Sequence, residues 1–121
     1  MKRLLTVLLI VAALAAGPSL GSPQNRPLSP KHKAWLEDEV AVIISPAERD
    51  VFKRLETDAD RDALIEEFWR QRDPTPGTAR NEFRDEHYRR LAFADKTFGR
   101  GLPFQGGKTD RGRIYIALGP P

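Results

Sequence analysis

Two amphipathic segments joined by a proline-rich elbow constrain the fold of this chain more than any other feature. The first begins near Asp58 and carries apolar residues at the i, i+1, i+4, i+5 spacing of one helical face, namely Leu64, Ile65, Phe68 and Trp69. The second carries a stripe at helical spacing that comprises Phe83, His87, Leu91, Ala94 and Phe98. The elbow, residues 72–78, breaks the helix because its two prolines lack backbone donors and disfavour the α conformation in the residue before each. The sequence therefore predicts two helices with a fixed connection, the second capped by Thr78.

A further helix-start signal lies upstream, where Ser45 is followed by a proline, an alanine and Glu48. Serine suits the N-cap, proline the first helical position, and glutamate the third position of a capping box. This pattern predicts a helix to about Leu55, after which Thr57 or Asp58 caps the next helix.

The segment that begins at Lys31 has mixed periodicity. Its apolar residues fit a helix at some positions and a strand at others. We interpret it as a helix to about Glu39 followed by a short strand over residues 40–44.

The amino-acid composition changes after Phe98. Residues 99–112 contain five glycines and a proline, which is too many for regular structure. Residues 113–118 then alternate β-branched and aromatic side chains, as a strand does. A lone strand leaves backbone donors and acceptors unpaired, so its predicted partner is the strand at 40–44 or sequence outside this chain.

These patterns predict an α+β fold that is predominantly helical. It would have three to four helices and a short C-terminal strand in a small sheet, as a minimal or incomplete domain. The predicted core comprises Val51, Phe52, Leu55, Leu64, Ile65, Phe68, Trp69, Phe83, Leu91, Ala94, Phe98, Ile114 and Ile116.

The N-terminus has the pattern of a secretory signal peptide. A basic start precedes an apolar run over residues 4–16, which Gly17 and Pro18 interrupt. The run is shorter than the roughly 20 residues that a spanning helix needs. We therefore predict a signal peptide over residues 1–21, a Pro/Ser-rich spacer over 22–30 and one domain over 31–121, exported to the periplasm or the extracellular space. An uncleaved N-terminal membrane anchor is the alternative.

Composition argues against several function classes. Without Lys2 and Arg3 the chain has 18 basic and 17 acidic residues, so we expect no nucleic-acid partner. The chain contains no cysteine, which excludes disulfides and thiolate metal sites. It also lacks the HExxH zinc motif, the phosphate-binding P-loop motif and the serine hydrolase elbow, so we expect no metal, cofactor or catalytic serine.

Four separated stretches resemble the GWxTD domain, a bacterial domain of exported proteins. They are Phe68–Thr78, Asn81–Phe83, Tyr88–Arg90 and Lys108–Tyr115, and they occur in the family's order. The resemblance covers roughly residues 35–121. It implies export and gives no reaction, because the biochemical role of the family is uncharacterised.

Two departures from the family accompany this resemblance. Gly107 stands where the motif has tryptophan, which removes a large apolar anchor and adds backbone freedom. Family members also look longer, so this chain is interpreted as a short member or as a fragment of a longer reading frame.

Two polar clusters are candidate binding sites. At the elbow, Arg70, Arg72 and the backbone donors after Thr78 would form an anion pocket, or Asp73 pairs with an arginine as pure structure. In the glycine-rich loop the candidates are Lys108, Thr109, Asp110 and Arg111. That loop would present a binding surface, or Asp110 caps a turn or pairs with an arginine.

The second long helix contributes the remaining candidates. Glu86 and Arg90 have the spacing of a favourable ion pair, and His87 is interpreted as a packed or hydrogen-bonded histidine at the edge of the core. We predict a non-enzymatic interaction or scaffold module with a protein partner in the cell envelope, which meets the membrane only through its signal segment. The alternative is a carboxylate-dependent enzyme that uses Asp110 with Glu82 or His87.

Overall fold

The computed structural model describes residues 27–121, and these residues form helices and turns without any strand. The predicted signal peptide and most of the predicted spacer lie outside the described residues. The helices are α1 (Pro30–Ala34), which continues as a π-helical turn (Trp35–Glu39), α2 (Pro46–Arg54), α3 (Asp58–Gln71), α4 (Glu82–Phe98) and α5 (Asp110–Leu118). A 3-10 turn (Gly106–Lys108) precedes α5. The predicted α+β class is therefore wrong, and the part of the chain that the structure covers is all-helical.

The predicted strand at residues 40–44 is a turn that ends the first helical segment. The amide nitrogens of Ile43 and Ile44 lie 3.0 and 2.8 Å from the carbonyl oxygen of Val40. Val40 is fully buried, as is Leu36 four residues earlier. The apolar residues around Val40 therefore serve a helical face rather than a strand.

The predicted strand at 113–118 is the body of α5. In a strand, Ile114 and Ile116 would lie on the same face. Here Ile116 is buried whereas Ile114 is 60% exposed, so the alternation of the sequence does not correspond to the burial. The side chain of Thr109 caps α5 by accepting a hydrogen bond from the backbone N–H of Gly112. Local capping and packing of one helical face thus override the β propensity of the isoleucines. The backbone groups of these residues bond within a helix, so residues 113–118 need no strand partner.

Two of the predicted caps are confirmed. Ser45 and Glu48 form a reciprocal capping box, with both nitrogen–oxygen distances at 3.1 Å. Thr57 caps α3 through the backbone N–H of Asp60. The predicted cap of α4 is wrong, because Asn81 rather than Thr78 accepts the first-turn N–H.

The core lies between the first helical segment, α2 and α3. It comprises Trp35, Leu36, Val40, Phe52, Leu55, Leu64, Phe68 and Trp69. The rings of Trp35 and Phe68 meet edge to face with centroids 5.2 Å apart, and Trp35 also contacts Phe52 at 5.0 Å. The predicted core is confirmed at its centre and wrong at Phe83 and Ile114, which are exposed. Trp35 was absent from the predicted core although its ring joins α1, α2 and α3.

Helices α4 and α5 form an antiparallel hairpin. The guanidinium of Arg111, at the start of α5, lies 5.3 Å from the ring centroid of Phe98 at the end of α4. Near the other end, Arg90 donates a hydrogen bond to the carbonyl of Ile116. This arrangement places the glycine-rich loop at the C-terminal end of α4.

Candidate functional site

Three glycines bring the glycine-rich loop into backbone contact with α4 and α5. A Cβ atom on Gly106 would overlap the Ala94 carbonyl oxygen and the Gly99 nitrogen. A Cβ on Gly112 would overlap the Gly106 carbonyl oxygen, and one on Gly99 would lie 2.8 Å from the Gly106 nitrogen. No side chain fits between these segments, so glycine is required at each position.

Thr109 closes the loop and starts α5. Its hydroxyl donates to the carbonyl of Gly106 over 2.6 Å and accepts from the N–H of Gly112 over 3.0 Å. Asp110 follows as an exposed residue in the first turn of α5, where a carboxylate interacts favourably with the helix dipole. The Thr109–Asp110 pair is thus a helix-start signal.

Gly107 faces the seam between α4 and α5. Its N–H donates to Asp95 Oδ1 over 2.7 Å. A Cβ here would lie 2.8 Å from that oxygen, 3.3 Å from Ile116 Cδ1 and 3.4 Å from Leu91 Cδ1. A larger residue at this position would therefore meet movable side chains of both helices.

Lys108 ties the loop to the first helical segment. Its ammonium group lies 2.8 Å from Asp38 Oδ1. The hydrogen bond with Asp38, together with the charge of that carboxylate, raises the pKa of Lys108. Lys108 is exposed, so this pair positions the loop without burying charge.

Residues 106–110 of this loop have the pattern Gly-x-x-Thr-Asp. Gly106 is required for close backbone packing, and Thr109 caps α5. A family model for the GWxTD domain matches residues 27–121. The chain belongs to the GWxTD domain family. Searches of curated proteins and of solved structures found no match to this chain.

In this GWxTD protein, the arginines of the elbow are held by glutamates rather than by Asp73. Arg72 makes two bonds to Glu48, at 2.8 and 3.0 Å, and its guanidinium lies 3.7 Å from the ring centroid of Phe68. Arg70 pairs with Glu67 over two bonds of 2.7 Å. Both arginines therefore already have anionic partners.

The remaining elbow residues also bond locally. Asp73 accepts the N–H of Thr75 over 2.9 Å, which is an Asx turn at the first proline. Asn81 donates to the carbonyl of Trp69 over 2.7 Å and so links the start of α4 to the end of α3. The elbow is a joint between helices.

Glu48 is the buried carboxylate at this joint. Burial alone would raise its pKa, but hydrogen bonds from Arg72 and from the backbone and hydroxyl of Ser45 outweigh that effect and hold the pKa below its usual value. The charged form is therefore the one that the folded protein stabilises.

The residues of the enzymatic alternative do not converge. His87 is buried, and its Nε2–H donates to the carbonyl oxygen of Glu39 over 2.6 Å; burial lowers its pKa. Asp110 lies beside the C-terminal end of α4, whereas Glu82 is the first residue of that helix. At about 1.5 Å per residue, Glu82 is about 24 Å and His87 about 16 Å from Phe98 along α4.

Glu86 and Arg90 do form the predicted ion pair, at 2.9 Å.

A serine–histidine–aspartate array joins α1 to α3, and it was not predicted. Ser29 Oγ lies 2.7 Å from Nδ1 of the buried His32, whose Nε2 lies 2.7 Å from Asp62 Oδ1. The hydrogen bond from His32 lowers the pKa of Asp62. Ser29 Oγ also caps α1 by accepting the N–H of His32, so the array fastens the N-terminal helix. Only the Ser29–His32 spacing is visible in the sequence, because Asp62 is 30 residues away.

Exposed apolar side chains concentrate in the C-terminal part. We define the α4–α5 surface as Phe93 of α4, Leu102 and Phe104 of the following loop, and Ile114 and Leu118 of α5; these residues are 44–78% exposed. Phe93 is held by stacking on Tyr115, with ring centroids 4.6 Å apart. Among the described residues, the other exposed large apolar side chain is Phe83.

Within residues 27–121, no helix is both long enough and apolar enough to cross a membrane. The same residues contain no cluster of histidine and acidic side chains arranged to hold a metal ion.

Proposed function

We propose that this GWxTD protein is a non-enzymatic interaction module of the cell envelope, and that it binds through the α4–α5 surface. The observation that carries the proposal is the exposure of five large apolar side chains on one helical hairpin and its loop. Exposed apolar surface of this kind marks interaction sites in soluble domains.

The bonding of the polar candidates supports the same proposal. Arg70 and Arg72 are paired with glutamates, Lys108 with an aspartate, and Thr109 with backbone groups. These residues build the fold and the loop, whereas Ile114 and Leu118 are 60% and 78% exposed. The location in the envelope rests on the signal-peptide pattern of residues 1–21.

Site-specific photocrosslinking tests the proposal. The chain contains no cysteine, so Ala117→Cys on α5 and Ala59→Cys on α3 each accept a single benzophenone label at an exposed alanine of a helix. We expect the label at 117 to form discrete adducts with an envelope component, and the label at 59 to form none. Adding Ile114→Ser and Leu118→Ser should abolish those adducts. Equal crosslinking from both positions, or none from 117, would overturn the proposal.

A further inference from the structure

We propose that the partner of the α4–α5 surface is an anionic lipid bilayer. This inference rests on the proposed function and names the chemistry of the component bound. It goes beyond the expectation that only the signal segment meets a membrane.

The charges of the described residues divide sharply along the chain. Residues 27–88 contain 10 basic and 15 acidic residues, a net charge of −5. Residues 89–121 contain seven basic and two acidic residues, a net charge of +5. The near-neutral total therefore hides a basic C-terminal part, and this part carries the whole α4–α5 surface.

The basic and apolar side chains are neighbours on α5. Arg111, Ile114 and Leu118 recur at helical spacing on one exposed stripe, beside Tyr115 and the stacked ring of Phe93. Arginine and tyrosine have apolar stems and polar ends, which suits the boundary between headgroups and acyl chains. An exposed apolar stripe beside arginines can contact both the acyl chains and the anionic headgroups of a membrane interface.

A second copy of the chain fits this surface less well than a bilayer does. Arg89 and Arg90 pair with Glu86, and Lys108 pairs with Asp38. With these two carboxylates counted beside Asp95 and Asp110, seven basic residues face four acidic ones, so pairing two α4–α5 surfaces would bring two regions of net charge +3 together. The acidic part of another copy, residues 27–88, is also a poor apolar partner. Its one exposed large apolar side chain among the described residues is Phe83. An anionic bilayer supplies negative headgroups and an apolar interior in the same surface.

Fluorescence of the full chain on vesicles tests the inference. Ala117→Cys and Ala59→Cys are each labelled with an environment-sensitive dye, and vesicles of phosphatidylcholine are compared with vesicles containing 30% phosphatidylglycerol. We expect a blue shift at 117 on the anionic vesicles, at least about tenfold weaker affinity for neutral vesicles, and weaker binding as salt rises. Attachment through residues 4–16 alone would leave both labels in water, so a blue shift at 117 with none at 59 identifies contact through the α4–α5 surface.

Two double variants separate the contribution of the apolar side chains from that of the arginines. Ile114→Ser with Leu118→Ser should remove the blue shift, and Arg111→Gln with Arg113→Gln should reduce binding to anionic vesicles by roughly thirtyfold. These four side chains are exposed, so the variants should fold; circular dichroism checks this.

Three results would overturn the lipid inference. The first is no shift at 117, and the second is an equal shift at both positions. The third is a concentration-dependent shift without vesicles, which would identify a second copy as the partner. If 117 gave no vesicle shift but still formed specific adducts with an envelope protein, the lipid inference would fail while the proposed function stood.

Discussion

At the scale of single residues, the GWxTD motif of this chain allows the backbones of the loop, α4 and α5 to pack closely. Gly106 lies between the end of α4 and Gly112, and Thr109 bonds to both glycines through one hydroxyl group. The conformational freedom of glycine matters less here than its missing Cβ, because the neighbouring backbone atoms occupy that space. The motif thus positions α5 against α4.

Gly112→Ala should destabilise the protein even though it lies within a helix. At an ordinary helical position, replacing glycine by alanine stabilises by about 1 kcal/mol. Here the added methyl would collide with the Gly106 carbonyl, so we expect a loss of about 3 kcal/mol. The matched control is Gly107→Ala, which meets movable side chains and should cost less than about 1 kcal/mol. Denaturant unfolding measures both, and equal effects would contradict this account of the motif.

The buried Glu48–Arg72 pair predicts a specific pH dependence. The folded-state pKa of Glu48 is lowered, so its contribution is complete above its usual value near 4.5 and is lost as pH falls toward the folded value. Glu48→Gln should cost about 2 kcal/mol at pH 7, because it leaves the Arg72 charge partly buried without a counter-charge. Its free energy of unfolding should also fall less steeply than that of the wild type below pH 4.5. Parallel pH profiles for the two proteins would show that Glu48 does not titrate in this way.

At the scale of secondary-structure elements, caps were predictable and the identity of α5 was not. Ser45 with Glu48 and Thr57 could be identified because capping depends on neighbours within four residues. The start of α5 depends on Thr109, but the isoleucines after it have the alternation of a strand. The close approach of Gly112 to Gly106 and the burial of Ile116 decide for the helix, and no local pattern reveals these contacts.

Thr109→Ala should weaken α5 specifically. Loss of an N-cap typically costs about 1 kcal/mol, and here the bond to the Gly106 carbonyl is lost as well. We expect a loss of roughly 2 kcal/mol in the free energy of unfolding. Thr109→Ser keeps the hydroxyl and should recover most of it. If serine proved as damaging as alanine, the hydroxyl would not be the stabilising group.

At the scale of the whole molecule, the described chain has a packed acidic part and a basic part with exposed apolar side chains. The aromatic core lies in the acidic part, between α1, α2 and α3. In the basic part, the loop glycines bring α4 and α5 close together, and five large apolar side chains stay exposed. The total charge, which argued against nucleic acid, conceals this division because opposite charges cancel. The α4–α5 surface could not be predicted, since residues assigned to a strand in a sheet were expected to be buried.

Hydrogen–deuterium exchange of the full chain, with and without isolated envelope membranes, tests the central claim most directly. Binding through the α4–α5 surface should slow exchange in peptides that cover residues 99–118, while peptides from α2 and α3 stay unchanged. Ile114→Ser with Leu118→Ser should remove the protection. Protection confined to the elbow at residues 72–78, or no change anywhere in residues 27–121, would contradict the assignment of function to this surface.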